Sequence, residues 1–187
     1  MPLDHFDLIA PVYDRAAKYF SLQTMLRLAD PPPGGRLLDV GGGTGRVAEA
    51  LRGCVMQVVV ADPSLGMLRR AALKPGLQTA CAASEGLPFP DNSFECVIMV
   101  DALHHVLDPA ETAREMWRVL QPCGSIVIQE PDVRTLAVKM IALIEKLLLM
   151  RSHFLSPPKI VRLFQFTGAD VRVEQDGASA WILVRKT

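Results

Sequence analysis

Leu37-Leu38-Asp39-Val40-Gly41-Gly42-Gly43-Thr44-Gly45-Arg46 is the stretch on which the reading of this chain turns. An apolar run carrying one carboxylate stops at a cluster of glycines. The helical-looking segment from Val47 to Arg52 follows at once. That is the outline of a strand, a tight turn and a helix N-terminus. Glycine suits such a turn because it accepts backbone angles that a Cβ forbids, and because it lets a ligand lie against bare backbone.

Spacing narrows the ligand. A dinucleotide turn reads G-x-G-x-x-G, but here Arg46 stands where the third glycine is required. No Gly-Lys-Ser/Thr follows, so a Walker loop is excluded. A second apolar run, Val58-Val59-Val60-Ala61, ends in Asp62. A carboxylate at that strand tip can accept hydrogen bonds from both hydroxyls of a ribose. Turn and Asp62 together read as a nucleoside site that does not depend on a pyrophosphate.

These residues resemble a family. Leu38-Asp39-Val40-Gly41-Gly42-Gly43-Thr44-Gly45 is similar to the first motif of class I S-adenosylmethionine-dependent methyltransferases, and Ala61-Asp62-Pro63-Ser64 with Met67-Leu68 to the second. Leu87-Pro88-Phe89-Pro90-Asp91-Asn92-Ser93-Phe94 and Ala102-Leu103-His104-His105 resemble the small-molecule branch often labelled type 11 or ubiquinone-biosynthesis-like. Val119 to Gly124 resembles that branch's lead-in to strand five. The similarity runs from about Phe6 to the C-terminus, in family order.

The resemblance implies S-adenosylmethionine as cofactor and S-adenosylhomocysteine as product. Carried over residue by residue, it implies a cofactor site from Tyr13, Asp39, Gly41, Gly42, Gly43, Asp62, Pro63, Met67, Ser84, Glu85 and Asp101. Asp39 would serve the cofactor's ammonium, directly or through water. Tyr13 would help to close the methionine end, or merely pack. Met67 would lie against the adenine, or sit in the core. The family's Asp four residues before the Leu of Leu-Pro-Phe is Ala83 here. Ser84, Glu85 or backbone groups would then serve the adenine amino group.

Composition bounds the rest. The chain has 187 residues, half of them hydrophobic, with 20 basic against 20 acidic side chains. That suits one domain with a sizeable core and provides no global field to recruit nucleic acid or anionic membrane. Cys54, Cys81, Cys96 and Cys123 form no C-x-x-C pair and no His stands at zinc spacing, so we expect reduced thiols in or near the core and no metal. The N-terminus is unlike a signal peptide, and the expected compartment is the cytoplasm.

The expected fold is α/β. It is a Rossmann-like, seven-stranded, mostly parallel sheet with helices on both faces and a C-terminal antiparallel hairpin, all in a single domain, 1–187. Residues 1–35 form an N-terminal helical lead and 133–155 a candidate lid helix. Strands are expected at Leu77 to Cys81, Phe94 to Val100 and Ser125 to Gln129. A helix is expected from Pro109 to Leu120 and another from Lys159 to Phe166. The hairpin should pair Val171 to Glu174 with Ala178 to Arg185. Thr135 to Met150 has a wide apolar face, which fits a lid over an apolar acceptor, a homodimer face or a buried helix.

Asp101 follows the fourth strand, at the ligand edge of an open α/β sheet. His104 and His105 cannot point the same way on an extended chain, so one of them faces the acceptor or both simply pack. Glu130 either lines the acceptor pocket as a base or is a loop carboxylate facing water. Together with His104 and His105 it is a candidate for catalysis. The expected activity is in-line methyl transfer to a small, apolar molecule. The rival is a non-catalytic S-adenosylmethionine-binding protein that acts through a partner. A nicotinamide dehydrogenase is weakened by Arg46, and a nucleic-acid methyltransferase by the lack of a basic, aromatic-interleaved run.

Overall fold

The computed structural model describes residues 21–135, 138 and 153–187. Tyr13, most of the N-terminal lead and most of the candidate lid lie outside the described residues. The described chain begins at helix α1 (Leu22–Ala29), which Ser21 caps by accepting from the Thr24 amide. Pro31-Pro32-Pro33 follows, where a helix cannot continue, and the chain enters β1 (Arg36–Val40). Then come α2 (Arg46–Leu51), β2 (Gln57–Asp62), α3 (Leu65–Ala71), β3 (Leu77–Cys81), β4 (Phe94–Val100), a 3-10 turn (Leu103–His105), α4 (Pro109–Val119), β5 (Leu120–Pro131), α5 (Pro157–Leu163), β6 (Ala169–Asp176) and β7 (Ser179–Lys186).

The strands form one seven-stranded sheet in the order β3-β2-β1-β4-β5-β7-β6. The first five are parallel; β7 runs antiparallel to both β5 and β6. Chain order reverses between β1 and β4. That switch point opens a crevice at the strands' carboxyl ends, where ligands bind in open α/β sheets.

Period-two alternation sends each strand's side chains to opposite faces. Leu37, Val58, Val60 and Ile98 pack under α1, α2 and α3, with Met25, Ala48, Leu51 and Leu68. Leu38, Val40, Val59, Val97 and Met99 pack under α4 and α5, with Met116, Ile160 and Phe164. Asp39 falls on the first of these faces, beneath α2, solely because it lies between Leu38 and Val40. Sheet register thus decides which helix the one carboxylate of β1 meets.

Several element bounds differ from expectation. Strand β5 begins at Leu120, not Ser125, because Leu120 pairs with Phe94 and a register shift absorbs the Gln121–Gly124 bend. The bend places Cys123 at positive φ and presses Gly124 against the Glu95 carbonyl. Helix α5 starts at Pro157, a favoured first position, and stops at Leu163. The final hairpin is longer than its alternation suggests, with Asp176 paired to Ser179 around Gly177-Ala178. The four cysteines are free, but Cys81 and Cys123 are exposed rather than in the core. Among the described residues no helix is long and apolar enough to cross a membrane, and no cluster of side chains could hold a metal ion.

Ile98 is fully buried in the central strand beneath α1 and α2. Ile98→Ala should lower stability by roughly 2–5 kcal/mol through lost burial and the cavity left behind. Urea unfolding would show this as a lower midpoint with an unchanged slope.

Candidate cofactor and acceptor site

The glycine turn sits over the ends of β1 and β2. Gly41 and Gly42 donate their amides to the Ala61 carbonyl at 2.7 and 3.3 Å, which ties the turn to β2. Gly41 has φ 67°, and a Cβ there would lie 2.7 Å from the Ala102 Cβ. Glycine is therefore required both by the backbone angle and by the close approach of the chain leaving β4. Gly43 has φ 55°, and a Cβ added to it would meet only Met67 Sδ and Asp62 Oδ2, near 4 Å. It would project into open space between those two side chains.

Asp62 shapes the turn from the other side. Its Oδ2 accepts from the Gly43 amide at 2.9 Å and its Oδ1 from the Ser64 amide at 2.8 Å. Ser64 in turn accepts from the Met67 amide and caps α3. Pro63 connects the two. Met67 is buried in the first turn and a half of α3, facing the glycines. The second motif therefore acts as one hydrogen-bonded unit around the turn.

Asp39 is 1 % exposed and lines the cleft with Gly41, Gly42, Gly43, Thr44, Arg46, Val47 and Val100. A Cβ on Gly42 would lie 2.6 Å from its carboxyl group, so the turn rests directly on that group. Burial pushes the Asp39 carboxyl up to about 7, against a backbone hydrogen bond from Ala48 that lowers it and the Asp62 charge that raises it further. Its Oδ2 has no hydrogen-bond partner among the described residues. A buried oxygen without a partner is costly in a finished core, and suits one that awaits a cationic or donor ligand.

The chain that leaves β4 is organised around Glu130. This residue is the last but one of β5 and is 3 % exposed, which corrects the reading of it as a loop carboxylate. It does not face water, and its oxygens are already engaged. Oε1 accepts from the Ala102 and Leu103 amides at 2.9 and 2.7 Å. Oε2 lies 2.6 Å from His104 Nδ1. The cause is topological: β5 runs beside β4, so its last carboxylate meets the amides of the chain that leaves β4.

That chain is not extended. Asp101 has φ 51° and Leu103–His105 is a 3-10 turn, so His104 and His105 lie side by side, ring centroids 4.0 Å apart. The extended-chain argument fails here because the chain turns before it reaches the two rings. His104 is 4 % exposed and stacks on Phe154 at 4.4 Å. His105 is half-buried. Burial, and then the neighbouring His104, push its pKa down to about 3, so its imidazole is neutral at ordinary pH. Asp101 is pushed up to about 6, by burial first and then by Glu130, against His104 and Arg46.

Ser84 and Glu85 are hydrogen-bonded within the chain. The Ser84 hydroxyl lies 2.9 Å from Thr112 Oγ1 and donates to Glu85 Oε2 at 3.2 Å. Glu85 Oε1 accepts from the Leu107 and Asp108 amides. These bonds fasten the loop after β3 to the segment that follows the 3-10 turn and to α4. Sequence reasoning passed over Arg46 as a cleft residue, although its place inside the first motif was a signal. It also missed Phe154, which has no local signal because the contact spans 50 positions.

Residues 38–128, just under half of the chain, match the family model described as a methyltransferase domain. A demethylmenaquinone methyltransferase of Renibacterium salmoninarum is 34% identical over 133 residues, 67% of this chain and 56% of the relative. A ubiquinone/menaquinone biosynthesis C-methyltransferase UbiE of Stenotrophomonas maltophilia is 37% identical over 134 residues, 66% of this chain and 51% of the relative. The chain thus spans about half the length of these curated relatives. Among solved structures, a chain from the complex between the Haloferax volcanii Trm112 methyltransferase activator and a methyltransferase has TM-score 0.87 at 17% identity, covering 100% of this chain and 99% of that one. The [4+2]-cyclase SpnF has TM-score 0.80 at 18% identity, covering 97% and 93%. These two likenesses concern the fold. The family implies S-adenosylmethionine as cofactor, and the unpartnered Asp39 oxygen and the space above Gly43 fit such a group.

The raised Asp39 value has a sign. Its folded carboxyl sits above the ordinary value, so the stability it contributes is complete below about pH 4 and is lost as pH rises through about 7. Asp39→Asn cannot ionise. Without ligand it should match the wild type near pH 4 and exceed it at pH 8, by on the order of 1–3 kcal/mol, or a few degrees in Tm. Thermal scans across that range check this, and an offset that is the same at every pH would contradict it.

Proposed function

We propose that this protein is a methyltransferase that uses S-adenosylmethionine to methylate a small, apolar molecule by in-line transfer. The observation that carries the reading is the pair Asp39 and Asp62 around a bare glycine turn at the β1–β4 switch point, with one buried carboxylate oxygen unpartnered. When bound, the cofactor supplies an electrophilic methyl on a sulfonium. The protein has to hold the two reactants in line and keep water out, and such alignment is worth about 7–11 kcal/mol.

The chain's own residues divide this work. Asp62 and the Gly43 amide shape the nucleoside end; Asp39 and Asp101 offer negative charge to the methionine end. On the acceptor side, Glu130 fixes His104 through Nδ1, and His104 supports the neutral ring of His105. A neutral imidazole can accept a hydrogen bond from an acceptor's hydroxyl and so orient it toward the methyl. Glu130 and His104 are thereby positioning residues, and His105 is the group offered to the acceptor. The expected cytoplasmic location and a homodimer through the Thr135 to Met150 segment belong to this proposal, as does a single domain over 1–187.

The acceptor class follows the relatives, which are named for demethylmenaquinone and for ubiquinone/menaquinone biosynthesis. A second reading, a cofactor-binding protein acting through a partner, draws on the fold neighbour solved with its activator. One experiment separates the two. Methyl-labelled S-adenosylmethionine is incubated with the protein and demethylmenaquinol, a menadiol or a simple phenol, and label in the organic extract is counted. Labelled product from one of these supports the enzyme; cofactor binding without product from any of them supports the partner reading. Asp62→Ala should weaken cofactor binding roughly ten- to hundred-fold, the range for losing hydrogen bonds to a charged group, and calorimetric titration reads this directly. An unchanged affinity would remove Asp62 from the site.

A further inference from the structure

The cleft at the ends of β1 and β4 holds more charge than a nucleoside calls for. Arg46 opens α2 and lines the cleft with Asp39, the glycines and Val100. It is the one cation among the described residues that line it. Its charge acts on Asp39 from the α2 side and on Asp101 from the end of β4, and lowers the pKa of both. Two carboxylates and one guanidinium are thus gathered about a turn whose backbone is bare. The Asp39 carboxyl is buried with Oδ2 unpartnered, which marks this wall as built for a ligand rather than finished.

The same charges, with opposite sign, occur in one part of the implied cofactor. The methionine portion of S-adenosylmethionine carries an ammonium and a sulfonium, both cationic, and one carboxylate. Carboxylates on the protein answer the two cations. The ligand's carboxylate needs a donor in the same cleft, and a guanidinium presents a rigid fork of N–H groups that matches a carboxylate. We infer that Arg46 recognises the α-carboxylate of the cofactor's methionine portion, and so selects the amino-acid form of the cofactor over its decarboxylated form. This inference rests on the cofactor reading above. It also accounts for Arg46 at the position where a dinucleotide turn requires glycine: the side chain excludes one ligand class and serves another.

A different role for Arg46 is conceivable on charge alone, as a counter-ion that only holds Asp39 and Asp101 ionised. The two roles separate with a matched pair of ligands. Decarboxylated S-adenosylmethionine keeps the ammonium, the sulfonium and the adenosine and lacks only the carboxylate. Calorimetric titration of wild type, Arg46→Gln and Arg46→Lys with both ligands is the test. Wild type should prefer S-adenosylmethionine roughly ten- to hundred-fold, as a charge-assisted contact gives. Arg46→Gln should lose most of that preference, by weakening S-adenosylmethionine more than the decarboxylated ligand, and circular dichroism with a thermal melt checks that the variant is folded. Arg46→Lys should retain part of it. Equal weakening of both ligands by Arg46→Gln, or a preference that survives it, would overturn the assignment. Failure of the wild type to bind either ligand would remove the cofactor reading along with it.

Discussion

A buried carboxylate under a glycine turn is the constraint on which this structure depends. Asp39 lies within β1, and strand alternation turns it beneath α2. There its carboxyl group meets Gly42 so closely that a Cβ could not be accommodated. The turn must therefore be glycine, and it must leave the sheet where β1 and β2 end together. The Ala61 carbonyl and the Asp62 carboxylate hold it in that position. A chain with an apolar residue at 39 would pack more easily, but it would lose the buried carboxylate that gives the cleft its chemistry.

A second carboxylate governs the opposite wall. Glu130 collects three donors from the chain that leaves β4, and so fixes Ala102 against Gly41 and His104 against Phe154. The two walls meet because β1, β4 and β5 are neighbours in the sheet. Each wall is thus anchored by an acid at a strand's carboxyl end. Groups that approach one another across the cleft, Arg46 and Asp101 among them, are set by strand order and not by proximity along the chain.

The fold was largely legible because its signals are local. The run Leu37 to Val40 with its glycines, the run Val58 to Asp62 and the continuous apolar strand Phe94 to Val100 each announce themselves by composition and by what ends them. Boundaries were harder where tertiary pairing overrides the pattern: Leu120 joins the sheet because Phe94 is its partner, across a bend that looks like a turn. In the candidate site, Asp39, Asp62 and the glycines could be read in advance because strand tips and turn chemistry place them. Glu130 could be located but its partners could not, since they are supplied by a non-local neighbour. The two histidines were placed on the wrong backbone geometry, because a left-handed Asp101 is not written in residue type. Phe154 was invisible for the same reason that Glu130 was half-seen.

The central claim is that the Asp39 carboxyl is held poised in the cleft for the cationic end of S-adenosylmethionine. The most direct test is to count the protons exchanged when that ligand binds, by calorimetry in buffers of different ionisation enthalpy. Burial keeps this carboxyl largely protonated at pH 6, and an ammonium beside it favours the ionised form. The account predicts that wild type releases protons on binding at pH 6 and that Asp39→Asn releases fewer, by up to about one, the remainder coming from Asp101. Binding with no proton release from the wild type, or with the same release from Asp39→Asn, would contradict it.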